Sequence, residues 1–234
     1  MSLIVITGAS QGIGAAVAEA FAALPGATLA LLARNPARLE AVALRCRQQG
    51  AVAQAYPCDV TNDTAVQQTA TTVLRDLGPP DVLVNNAGVF QPGSLLETTP
   101  ADFRAQLAIN LTSAFVVTQA FLPSMMAARR GTLFFLASIA SLRAYPGGVA
   151  YGTAKHGLLG LARAVREETK PFGLRVTAVL PGATWTPSWD GTPLPESRFM
   201  PAEDIARTLV DIYQLSDRTV VEEVLLRPQP GDIE

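Results

Sequence analysis

The stretch Leu3-Ile4-Val5-Ile6-Thr7-Gly8-Ala9-Ser10-Gln11-Gly12-Ile13-Gly14 decides the fold of this chain. Residues 3–7 are a short, mostly β-branched run, the composition of a buried strand. Glycines follow at 8, 12 and 14, and an Ala-rich helical stretch continues to Leu24. Strand, glycine-rich turn and helix start in succession make an anion site. Glycine lets the backbone approach a phosphate, and the unpaired N–H groups of a helix start favour negative charge. The alternative is a tight turn that binds nothing, and the rest of the chain decides between the two.

Outward from that stretch, strand and helix patterns alternate almost without a break. Residues 27–33, 52–57, 81–84, 131–138, 173–180 and 219–226 read as further strands. Residues 36–49 read as a helix, with Pro36 early and Gly50 beyond its end. Thr61 or Asn62 caps a helix to about Leu77, and helical patterns also cover 101–128, 151–170 and 202–214. The alternation implies an α/β chain, a doubly wound parallel sheet of about seven strands with helices on both faces. A length of 234 residues suits one such domain, 1–234. Ligands of these sheets bind beyond the carboxyl ends of the strands, at the switch point. Residues 8–14, Asp59, residues 85–88, Ser138 and residues 181–186 all follow predicted strands, so they share that edge.

Composition narrows the functional classes. Apolar residues make up 49% of the chain and charged ones 16%, which suits strands covered on both faces. A net charge of −2 gives no support for nucleic-acid binding. No apolar run in the sequence approaches the ~18 residues of a membrane span. The N-terminus has no basic region before its apolar run and reads as a first strand rather than a signal peptide. Cys46 and Cys58 match no metal or redox spacing. They read as buried thiols of a reducing cytosol, so a cytoplasmic protein is expected. The single histidine, His156, has no second histidine to build a metal site with. It reads as packing or pocket lining, and no metal is expected.

An NAD site usually carries an acidic residue about 20 residues past the glycines, bonded to the ribose 2′-OH. Here Ala33 and Arg34 stand at that place. No carboxylate repels a 2′-phosphate, and a guanidinium can hold one through paired hydrogen bonds. The expected cofactor is NADP(H), with NAD(H) the alternative if Arg34 is only a solvated strand end. Gln11 supplies no second cation, so this preference rests on Arg34 alone. Asp59 could accept from an adenine amino group or simply start the next turn. Asn85-Asn86-Ala87-Gly88 offers amides that bond backbone and ligand alike, and small residues that let a cofactor lie close. Asn110 stands among Leu107, Ile109 and Leu111, where a mid-helix amide is disfavoured and must find partners. It either braces the helix or faces the active site.

The chemistry falls on residues 138–155, Ser-Ile-Ala-Ser-Leu-Arg-Ala-Tyr-Pro-Gly-Gly-Val-Ala-Tyr-Gly-Thr-Ala-Lys. Tyr151 and Lys155, at i and i+4, share a helix face. A phenol near its usual pKa of about 10 is a poor acid or base at neutral pH. A cation beside it favours the phenolate and pulls that value down. Ser138 could hold a substrate oxygen beside the phenol. Alone, Tyr-x-x-x-Lys fits equally a helix start with a half-buried Tyr and a solvated Lys; the shared sheet edge gives it meaning. Between 181 and 201 the chain holds five prolines and both tryptophans. That is a shaped loop, which could cover a substrate at about 183–200 or simply pack on the surface.

With these motifs in order, the chain resembles the short-chain dehydrogenase/reductase family in its compact form. The resemblance rests on Thr7-Gly8-x-x-x-Gly12-x-Gly14, Asp59-Val60, Asn85-Asn86-Ala87-Gly88, Asn110, Ser138, Tyr151-x-x-x-Lys155 and Pro181-Gly182, and covers essentially the whole chain. It implies a Rossmann-type domain and reversible hydride transfer between a nicotinamide and a carbonyl/alcohol pair. Tyr151 would be the general acid or base, and Lys155 would lower its pKa and bond the nicotinamide ribose. Ser138 would orient the substrate oxygen, and Asn110 would hold a relay water. Gly8, Ser10, Gln11, Gly12, Ile13 and Gly14 would form the pyrophosphate side, Asp59 and Val60 the adenine side. Asn86, Ala87 and Gly88 would line the cleft, and Pro181, Gly182, Thr184 and Thr186 would meet the nicotinamide amide. A homodimer or homotetramer built on the 101–128 and 151–170 helices is implied as well. Residues 145–148 and 221–228 look like relatives acting on 3-oxoacyl or 3-hydroxy acid substrates, so Arg143 could meet a substrate carboxylate. The competing readings are an NAD-linked alcohol dehydrogenase and a non-catalytic NADP(H)-sensing protein.

Overall fold

A computed structural model describes residues 2–233. Seven strands, β1 (Ser2–Thr7), β2 (Ala27–Ala33), β3 (Val52–Pro57), β4 (Val82–Asn85), β5 (Gly131–Leu136), β6 (Leu174–Pro181) and β7 (Glu223–Leu226), form one sheet. Their order is β3-β2-β1-β4-β5-β6-β7, and every neighbouring pair is parallel. The period-2 alternation of an apolar strand supplies both faces. Ile4, Ile6, Leu29, Leu31, Val82, Val84, Phe134 and Leu136 pack toward α1 (Gly12–Ala22), α2 (Pro36–Gln48) and α7 (Ala202–Tyr213). Leu3, Val5, Leu32, Leu83, Leu133 and Phe135 pack toward α3 (Asp63–Leu77), α5 (Ser113–Ala128) and α6 (Val149–Thr169). This is the Rossmann-like, doubly wound sheet expected from the sequence.

Two elements differ from the sequence-based expectation. The last strand is shorter than 219–226: β6 offers partners only over Ala178–Pro181, so pairing begins at Glu223. The long helix expected over 101–128 is broken. α4 (Pro100–Leu107) passes into a π-turn, Ala108–Thr112, before α5 begins. An extra residue per turn lets the Asn110 amide reach backbone outside its own helix, and such bulges gather at functional sites.

The sequence shows no contiguous apolar run of membrane length, yet the combined helix Pro100–Ala128 passes by length and composition, with mean hydropathy 1.4. Packing explains its character: Val117, Phe121 and Met125 are buried against the sheet, so it is a core helix.

Candidate active site

The strand order reverses between β1 and β4, and the loops following these strands are stitched together. Thr7 Oγ1 accepts the N–H groups of Asn86 (3.0 Å) and Ala87 (3.1 Å), while Asn86 Nδ2 donates to the Thr7 carbonyl (2.9 Å). Asn86 thus spends its amide bracing the cleft floor. Gly14 packs so closely that a Cβ there would lie 2.3 Å from the Gly8 carbonyl oxygen, and Gly12 turns the loop at φ +55°. Together they leave a backbone rim at the start of α1, with Ser10 and Ile13 half-buried and Gln11 exposed. Thr186, from the loop beyond β6, lies against Gly12. Earlier in that loop, the Gly182 N–H donates to the Leu226 carbonyl (2.8 Å), and the buried Thr184 hydroxyl donates to the Gly182 carbonyl (3.0 Å).

Arg34 is exposed just past β2. Asp59 begins the turn before α3: its Oδ1 accepts the Thr61 N–H (3.0 Å) and hydroxyl (2.8 Å). These two bonds, and then the charge of Arg34, hold its carboxyl below the usual range. Val60 is buried beside it. From the first turn of α2, Arg38 Nη1 donates to Gln11 Oε1 at 2.6 Å.

At the other end of the cleft, Ser138 leaves β5 in extended backbone and caps a 3₁₀ turn, Ile139–Ser141. Its Oγ accepts the Ala140 N–H at 3.1 Å. α6 then carries Tyr151 and Lys155 on one face. Lys155 Nζ lies 5.5 Å from the Tyr151 ring centroid and donates to the Leu136 carbonyl at 2.6 Å. Asn110, 1% exposed, accepts the Val89 N–H (3.1 Å) and donates to the carbonyls of Val89 (2.9 Å) and Gln106 (3.1 Å). A Cβ on Gly88 would meet Asn110 Oδ1 at 2.7 Å and Lys155 Nζ at 3.7 Å, so the three segments converge there.

Burial raises the Tyr151 phenol above its usual value, and the neighbouring Ser138 hydroxyl only partly opposes this. The sequence suggests the reverse, a phenol pulled down by Lys155. The reason for the difference is that the ammonium is itself desolvated, pushed down to about 8, and bonds the Leu136 carbonyl. Phe90 stands edge-on to Tyr151, with ring centroids 5.1 Å apart, and Tyr145 lies 6.5 Å from Phe90. Burial, then the nearness of Tyr151, pushes the Tyr145 phenol up to about 12. Phe90 and Tyr145 thus make the surroundings of Tyr151 aromatic.

Beyond β6, the tryptophans serve the loop's own packing. Trp185 and Trp189 pack tilted against Phe199, with ring centroids 5.1 and 4.7 Å away, and the Trp185 backbone N–H donates to the Met200 carbonyl. The same loop is tied to the C-terminal tail, where Arg198 donates to the carbonyls of Gly231 (2.9 Å) and Asp232 (2.7 Å). Asp232 in turn pairs with both Arg227 and Arg143. Arg143, read from the sequence as a partner for a substrate carboxylate, is therefore engaged by a carboxylate of its own chain. Sequence reasoning missed Phe90, Arg38 and Asp232, and singled out Tyr145 only as part of the 145–148 stretch. Phe90 stands two residues past the Asn85-Asn86-Ala87-Gly88 motif and Arg38 four past Arg34, so each had a local signal; nothing local marks Asp232. Among the described residues, no three His, Cys, Asp or Glu side chains gather as metal ligands.

A parallel sheet with a glycine cradle at its switch point, and a Ser, Tyr and Lys cluster on the same edge, defines a nucleotide-linked oxidoreductase of one family. The short chain dehydrogenase family model matches residues 2–194, and the chain belongs to that family. Among curated relatives, the sepiapterin reductase of Chlorobaculum tepidum is 36% identical over 239 residues, covering 99% of this chain and 98% of that one. Among solved structures, an alcohol dehydrogenase from Thermococcus sibiricus complexed with 5-hydroxy-NADP superposes with a TM-score of 0.92 at 32% identity, covering 100% and 99% of the two chains. A metagenomic short-chain oxidoreductase in complex with NADP gives a TM-score of 0.86 at 35% identity, with 97% of each chain covered.

Proposed function

We propose that the chain is an NADP(H)-dependent carbonyl reductase that interconverts a ketone or aldehyde and a secondary alcohol. The observation that carries this reading is the convergence of Ser138, Tyr151, Lys155 and Asn110 at the cleft that begins on the glycine rim. That rim fits a dinucleotide: the Gly14 approach and the Gly12 turn leave half-buried backbone, free of bulky side chains at both glycines, where a pyrophosphate would lie. Gly8, Ser10, Gly12, Ile13 and Gly14 would hold the pyrophosphate, and Arg34 the 2′-phosphate. Asp59 and Val60 would meet the adenine. Asn86, Ala87 and Gly88 would line the cleft, and Pro181, Gly182, Thr184 and Thr186 would face the nicotinamide amide. When bound, the nicotinamide supplies or accepts the hydride.

The chain's own residues handle the proton and the position. Ser138 Oγ already accepts the Ala140 N–H, so its hydroxyl proton can point to the substrate oxygen. Tyr151 gives its proton to that oxygen as negative charge develops there. A phenol raised by burial stays protonated at neutral pH, the form that a proton donor in reduction needs. Lys155, while charged, stabilises the phenolate left behind, and Asn110 holds the backbone at Val89 beside it and a relay water. Phe90 and Tyr145 suit a carbonyl attached to a flat or apolar group. The likeness to a sepiapterin reductase makes sepiapterin the first substrate to test.

The unbroken sheet from β1 to β7 supports one domain over 1–234, with its substrate loop at about 183–200. The half-exposed Phe115 on α5 supports a homodimer or homotetramer through α5 and α6. The test is a panel of ketones and aldehydes, led by sepiapterin, with NADPH or NADH and nicotinamide absorbance as the readout. Turnover faster with NADPH is expected. Tight NADPH binding with no turnover on any carbonyl would overturn the reductase and favour the nucleotide-sensing protein.

A further inference from the structure

We propose that Arg38 forms the second half of the 2′-phosphate site, with Gln11 as its positioning residue. This rests on the NADP(H) reading above and changes one part of it, since the sequence alone leaves Arg34 as the only cation. Gln11 stands at the N-cap position of α1 in extended backbone, yet its side chain makes no capping bond. Its carbonyl instead accepts Arg38 Nη1 at 2.6 Å, across 27 residues of sequence. The Arg38 backbone is fixed too, because its N–H donates to Oδ1 of Asn35, the N-cap of α2.

Three features fit an anion at this spot. First, a cation in the first turn of a helix opposes the helix dipole. α2 carries no acid in that turn to pair with Arg38. Second, the partner of Arg38 is a neutral amide. The guanidinium keeps its full charge, and only one of its five N–H donors is engaged by Gln11. Third, the two arginines face different neighbours. Arg34 acts on Asp59, on the side expected for the adenine, and Arg38 bonds the glycine loop, on the side expected for the pyrophosphate. A phosphate on the adenine ribose lies between those regions, where two planar forks can grip it from opposite sides.

The experiment titrates 2′,5′-ADP, 5′-AMP, NADPH and NADH into wild type, Arg38→Ala, Gln11→Ala and Gln11→Glu by calorimetry. For Arg38→Ala, 2′,5′-ADP and NADPH should weaken by about tenfold or more, the scale of a lost charge-assisted hydrogen bond, with 5′-AMP and NADH unchanged. Gln11→Ala should weaken the 2′-phosphorylated ligands less than Arg38→Ala does. Gln11→Glu should weaken them more than Gln11→Ala, because a carboxylate takes the guanidinium for itself. Wild-type affinity for 2′,5′-ADP in Arg38→Ala, or an equal loss for 5′-AMP, would overturn the assignment of Arg38. Wild type binding 5′-AMP as tightly as 2′,5′-ADP would instead overturn the NADP(H) reading beneath it.

Discussion

Replacing Lys155 with Met should stabilise the cofactor-free fold at neutral pH while removing turnover. The ammonium is held at about 8, against an ordinary 10.5, because it is desolvated among the strands and α6. At ~1.4 kcal/mol per tenfold change in proton affinity, keeping it charged in the fold costs about 3 kcal/mol. Against this stands its hydrogen bond to the Leu136 carbonyl, whose loss costs about 1–2 kcal/mol. Met fills similar space without charge, so the net gain is about 1–2 kcal/mol, or roughly 2–8 °C in Tm for a chain of this size. The sign depends on pH. Below about pH 8 both folded and unfolded chains carry the proton, and the full cost stands. Between about 8 and 10.5 the unfolded chain binds the proton more tightly, so wild-type stability rises with pH. Above 10.5 both are neutral, and the variant keeps only the lost hydrogen bond. Urea unfolding of both proteins from about pH 7 to 10.5 should therefore show Lys155→Met the more stable at the low end and the less stable at the high end. A variant less stable at neutral pH, or a difference that does not change with pH, would refute the reasoning.

Two other substitutions probe the frame around the site. Gly14→Ala places a Cβ 2.3 Å from the Gly8 carbonyl, which is backbone and cannot swing away. The loop must shift, and unfolding should show a loss of about 1–3 kcal/mol together with weaker NADPH binding; unchanged values for both would show that the cradle is looser than its geometry. Asp232→Asn removes the charge that Arg227 and Arg143 share. Steady-state kinetics should give a several-fold higher KM for the carbonyl with NADPH affinity unchanged, whereas an unchanged KM would mean that the tail does not hold the substrate loops.

What the sequence discloses, and what it hides, follows from the range of the interactions. The sheet is legible because each strand and helix announces itself within a few residues, through β-branched runs, caps and the glycine turn after β1. Ser138, Tyr151 and Lys155 are legible because strand end and helical spacing place them. The π-turn at Asn110 is not, since its cause is a bond to the backbone of Val89, which periodicity cannot see. Arg38 reaching Gln11 and Arg143 reaching Asp232, 89 residues away, are long-range pairings of polar side chains that no local pattern encodes. The upward shift of Tyr151 is hidden for another reason. Spacing brings Lys155 to the same face, but burial of both groups, known only from the packed structure, outweighs their attraction.

The most direct test compares Tyr151→Phe with wild type for carbonyl-dependent NADPH oxidation, alongside the NADPH dissociation constant. The change removes one hydroxyl and leaves the ring against Phe90. Turnover should fall by about 10²–10⁴-fold, the worth of a positioned general acid, while NADPH affinity stays close to wild type. Turnover retained at the wild-type rate would contradict the assignment of Tyr151 as the proton donor, and with it the mechanism proposed for this site.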